Sequence, residues 1–123
     1  MLNMTTPPTS APHASRPRPR DWQMIQLRFA IRDYKLRIKE LEEEERALEA
    51  ALFSFRQAVS AAKRAENAAR TDIEVSRAKH AVKDAVERLQ AHEAKISDIG
   101  KTLARVRRYL ADDERWYAQG QEV

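Results

Sequence analysis

The side chains best able to move a proton near neutral pH are three histidines, His13, His80 and His92. His92 interrupts a ladder of otherwise apolar residues, and Glu45 interrupts a second ladder earlier in the chain. A Glu45–His92 pair buried between two helices could act as a proton-sensitive latch, or it could fix how the helices align at some cost in stability. Alignment is the preferred reading, and catalysis is less favoured still, because a thin seam between two helices offers no pocket for a substrate. The residues three positions before His80 and His92 are Arg77 and Leu89, so the Glu-x-x-His pattern of carboxylate-bridged bundles is absent. His80 and Asp84 read as an exposed i, i+4 contact. There is no cysteine, which removes disulfides, thiolate metal sites and a cysteine nucleophile. No Gly-rich phosphate loop and no nucleophile with a neighbouring base occurs. The expectation is therefore no catalytic residue, no metal and no cofactor, and a protein that is not an enzyme.

Cations offer a different chemistry. The first 20 residues carry Arg16, Arg18 and Arg20 and no acid, whereas the rest of the chain is almost balanced. Lys101, Arg105 and Arg108 recur at i, i+4 and i+7 of a helical pattern, with Arg107 beside them. Seven cations gathered at one end would suit phosphate backbones or an acidic protein surface. Asp112, Asp113 and Glu114 follow one turn later, and no base-reading element is evident, so any nucleic-acid contact would be independent of base sequence.

The elements that must carry these residues are long helices. Met24, Leu27, Ile31, Tyr34, Ile38, Leu41, Glu45, Leu48, Leu52, Phe55, Val59, Ala62, Glu66 and Ala69 follow a 3–4 spacing without an intervening Gly or Pro. Such spacing keeps one seam of a helix facing another helix. A second ladder holds Val75, Ala78, Val82, Ala85, Leu89, His92, Ile96, Ile99, Leu103, Val106 and Leu110, with Tyr117 at its end. Glu66 to Val75 is nine residues rather than seven, so the ladders are out of phase and a turn separates them. Thr71 and Glu74 match a capping box that would start the second helix. Asp21, after the last Pro–Arg, would start the first, as its cap or as an acid at the positive helix end.

The expected fold is all-α: an antiparallel two-helix coiled-coil hairpin. Helix 1 would cover about 21–67, the turn about 67–71 and helix 2 about 72–118, with residues 119–123 frayed around Gly120. Folding the hairpin at that turn pairs Leu41 with Ile96, Leu48 with Leu89, Phe55 with Val82 and Glu45 with His92. Gly100 would be a soft point costing ~1 kcal/mol against Ala. A single unbroken helix dimerising in parallel is the weaker alternative.

All five prolines fall in residues 1–20 and predict an extended Pro/Arg-rich arm, either a leader or a strap that orders on a partner. No apolar run approaches the roughly 20 residues of a membrane span, and the first residues lack the apolar core of a secretory signal. The expected setting is the cytoplasm or the inside of a larger assembly.

One further pattern concerns partners. Trp22, Ile25, Phe29 and Leu36 form a second apolar stripe outside the seam. One partner helix cannot cover both stripes, so the second implies self-association or another protein. The outline resembles secretion-stalk and export-chaperone hairpins and the coiled coils of phage and other assemblies, a likeness of architecture only. The first reading is thus a non-catalytic adaptor or assembly component whose hairpin core is completed by a partner or another copy. The alternative is a nucleic-acid accessory protein using its basic end.

Overall fold

The computed structural model describes residues 16–122. The arm over residues 1–15, with His13 and three of the prolines, lies outside them, as does Val123. Two α-helices make up almost all of the described chain: α1 (Asp21–Ala68) and α2 (Asp72–Gln121), with no strand among the described residues. The fold is an all-α helical hairpin.

Local chemistry sets each helix end. At the start of α1 the Arg20 carbonyl accepts from the Met24 amide at 2.9 Å, and the Arg20 amide donates to Gln23 Oε1 at 2.9 Å. Gln23 thus supplies the reaching-back half of a capping box. Asp21 takes the second of its two expected roles: it sits in the first turn, where a carboxylate favours the positive helix end, and does not cap. α1 runs on to Ala68, since 48 residues without Gly or Pro leave nothing to stop it earlier. Residues 69–71 make the link. The Glu74 amide donates to Thr71 Oγ1 at 3.1 Å, and Glu74 Oε1 accepts from the Thr71 and Arg70 amides at 3.0 Å each. The capping box read from Thr71 and Glu74 is therefore formed.

The chain divides into two units. The turn unit comprises Glu43–Gly100. Every ladder position in it is buried or half-buried, yet only Ala78 and His92 are fully so. His92 stacks on Phe55 with ring centroids 4.5 Å apart, and its Nε2 lies 2.5 Å from the Leu48 carbonyl oxygen. A carbonyl only accepts, so Nε2 carries the proton and donates.

These partners correct the expected alignment: Phe55 faces His92, not Val82, and the Leu48 carbonyl meets His92, not Leu89. The displacement is about one heptad, which leaves seam positions on seam positions, so periodicity could not separate the two alignments. The expected Glu45–His92 layer is not formed for the same reason. Glu45 Oε2 lies beside Gly100, 3.9 Å from where a Cβ on that glycine would be, and eight residues of helix separate Gly100 from His92 by ~12 Å.

The strap unit comprises the described residues up to Glu42 together with those from Lys101 on. Its helices are antiparallel, as the order of their cross-links shows: Lys35 with Glu114 at 3.6 Å, then Glu42 with Arg107 at 2.6 Å. Leu27, Leu41, Leu103 and Trp116 are buried, and the Tyr34 and Tyr109 rings meet with centroids 6.0 Å apart and planes tilted at 44°. Burial, then the charge of Asp113, then Tyr109 push the Tyr34 hydroxyl above its ordinary range.

Candidate functional site

The site is a surface of the strap unit, and the helix period places it. At 100° per residue, Trp22, Ile25, Phe29 and Leu36 fall within ~60° of arc on the side of α1 opposite its seam. Packing α1 on α2 through the seam therefore leaves all four outside. They are 55%, 55%, 60% and 53% exposed, and a stripe of this kind is what marks interaction surfaces. Phe53 and Ile73 of the turn unit are also exposed, at 67% and 65%, and were not singled out by the sequence reading.

Beside the stripe runs a row of cations that the sequence reading missed. Arg28, Arg32, Lys35 and Lys39 line a shallow open groove with Ile31 and Leu36. Their spacing of four, three and four residues is the helical signature that would have revealed them. Lys35 is paired with Glu114, whereas Arg28, Arg32 and Lys39 make no ion pair within the described residues.

The seven cations expected to act together are in different situations. The Arg16 guanidinium lies 4.9 Å over the centre of the Trp116 ring, a cation–π arrangement. Arg18 donates through Nε to the Gln119 carbonyl at 3.1 Å and through Nη2 to the Gly120 carbonyl at 3.3 Å, and it also reaches the Glu122 carbonyl. A cation bonded to these last carbonyls caps the negative end of α2. Arg107 is held by Glu42. Arg20, Lys101, Arg105 and Arg108 are exposed and make no ion pair within the described residues.

Residues 16–20 therefore form a strap on α2. The Trp116 Nε1–H donates to the Pro17 carbonyl at 2.9 Å. A Cβ on Gly120 would run into Met24 Sδ and lie 2.7 Å from Pro19 Cγ and 2.9 Å from Met24 Cε, so any larger residue there must displace the Pro19 ring of the strap. α2 accordingly continues to Gln121, past the fraying point expected near 118. Trp116 escaped the sequence reading because the ladder ended on its neighbour Tyr117. Gly120, expected to mark fraying, is where the chain crosses closely.

Among the described residues no group of three His, Cys, Asp or Glu is placed to hold a metal ion, and no helix is long and apolar enough to cross a membrane. Comparison with protein families, curated proteins and solved structures returned no match to this chain.

Proposed function

We propose that this chain is a non-catalytic interaction protein, a helical hairpin adaptor or assembly component that docks on a protein partner through Trp22, Ile25, Phe29 and Leu36. Its place is the cytoplasm or the inside of a larger assembly. One observation carries the reading: four large apolar side chains share one face of α1, and each is more than half exposed. Leaving that much apolar surface in water is unfavourable at ~25 cal/mol per Å², and a partner would remove the cost. The test is light scattering after size exclusion, on the chain alone and mixed with candidate partners, at low and high salt. Phe29→Glu removes the complex or oligomer while helicity by circular dichroism is kept. An unchanged mass for the variant would overturn the reading.

A second reading, a sequence-independent nucleic-acid accessory protein, is supported by the exposed cations Lys101, Arg105 and Arg108 on α2. It requires binding to duplex DNA that falls steeply with added salt and with Arg105→Ala. Anisotropy insensitive to either would remove it.

A further inference from the structure

The docking face has a charge asymmetry that narrows what can lie on it. Resting on the reading that this face takes a protein, we infer that its occupant is an acidic amphipathic helix laid along α1. Its apolar side covers Trp22, Ile25, Phe29 and Leu36, and its carboxylates meet Arg28, Arg32 and Lys39. Two features carry this inference. The apolar stripe is long and straight on a helix, the shape into which another helix packs with residues at i, i+3, i+4 and i+7. Along one edge of it stand three cations without ion-pair partners within the described residues, bordering the groove shared with Leu36. Such a row repels cationic partners and draws anionic ones.

The other edge opposes a lipid or nucleic-acid occupant. At 100° per residue Asp33 and Glu40 fall there, both exposed, with Glu40 3.6 Å from Arg37. A helix that lies on an anionic membrane carries cations along its polar face, and a carboxylate edge would be pushed away from the lipid. Duplex nucleic acid meets the same repulsion, and Ile25 and Leu36 would be buried against phosphates. A second copy using this same face would be related by a two-fold axis. Where that axis runs across the helices and makes them antiparallel, it sets basic row on basic row. Where it runs along them, each basic row meets the other copy's Asp33 and Glu40 edge, and the mass of the charge-reversed chain separates that arrangement from the acidic helix.

The test uses the full chain and a fluorescent synthetic peptide of about four heptads, with leucine at the seam positions, glutamate along the flank that meets Arg28, Arg32 and Lys39, and glutamine along the flank that meets Asp33 and Glu40. A second peptide replaces every glutamate by lysine. By anisotropy the acidic peptide binds and the lysine peptide does not. The combined change Arg28→Glu, Arg32→Glu, Lys39→Glu weakens acidic-peptide binding by about tenfold or more, the scale of three exposed pairs, and the loss shrinks with added salt. Phe29→Glu removes binding at any salt. Because all of these positions are exposed, circular dichroism shows the variants folded, and Phe29→Ser gives the same loss without an added charge.

Equal binding of the two peptides, or none of the acidic one, overturns the inference. So does flotation with vesicles of equal parts phosphatidylcholine and phosphatidylserine that is lost on the charge reversal. An oligomer that dissociates on Phe29→Glu and ignores the charge reversal also overturns it, while leaving the docking face intact. If Phe29→Glu changes neither peptide binding nor mass, the docking face itself is lost.

Discussion

The turn unit and the strap unit close the ends of the same two helices by different means. In the turn unit every closing bond is local: Thr71, Glu74 and the Arg70 amide lie within five residues of one another. Its core is correspondingly light, with Ala78 and His92 its only fully buried residues. In the strap unit Arg16, Pro17 and Arg18 close on residues about a hundred positions later in the chain. There the core is larger, with three leucines and a tryptophan buried. The contrast shows that a short link needs little packing once it is capped. Holding helix ends that no link joins takes an aromatic anchor, a cation on the free carbonyls and a glycine to let the strap approach.

That comparison can be broken most directly at Trp116. Trp116→Ala removes a buried ring, its hydrogen bond to Pro17 and the platform under Arg16. The expected loss is about 3–5 kcal/mol in urea unfolding. A loss below about 1 kcal/mol would mean that the strap contributes little to closing its unit.

The two glycines sharpen it next, because they should respond with opposite signs. Gly120→Ala must displace the Pro19 ring and Met24, with an expected cost of about 1–3 kcal/mol. Gly100→Ala meets only the Glu45 carboxylate at ordinary contact distance and removes a poor helix former, a gain of up to about 1 kcal/mol. Thermal unfolding of both variants reads the two signs, and equal signs would contradict the difference in crowding.

At the turn, Thr71→Ala removes one half of the capping box, and about 1 kcal/mol is the expected cost. Amide exchange at the start of α2 should quicken in that variant, while exchange around Trp116 stays as it was. Quickening at both places would show that the closures are not independent.

The smallest effect concerns pH. Bonds from the Arg70 amide first, then the Thr71 amide and the Thr71 side chain hold the Glu74 carboxyl below the usual glutamate range. A depressed folded pKa means that the stabilisation is complete above the unfolded value and is lost as pH falls through the folded one. Glu74→Gln should therefore flatten the acid side of a melting-temperature profile and leave its neutral region almost level. Because Glu74 is fully exposed the difference is slight, and identical acid slopes would rule it out.

How much was legible in the sequence follows the same division. The seam of each helix could be read because a 3.6-residue period turns apolar spacing into a face, and the described ladder positions are indeed withdrawn from solvent. The capping box at Thr71 and Glu74 could be read because both halves lie within one turn of chain. The stripe from Trp22 to Leu36 could be read as lying outside the seam, and its exposure follows from that. The Glu45–His92 layer could not be placed correctly, since a slip of one heptad leaves the apolar pattern unchanged.

By itself, then, the sequence determined two helices, the faces they turn to each other, the link between them and a surplus apolar stripe on α1. Those properties depend on residues near one another in the chain, where period and propensity act directly. Only the tertiary structure decided the alignment of the helices, the separate surroundings of Glu45 and His92, and the strap that joins Arg16, Pro17 and Arg18 to the last turns of α2. These depend on which residues meet across about fifty to a hundred positions of chain. Local periodicity is blind to that choice, and side-chain volume, free carbonyls and the room at one glycine make it.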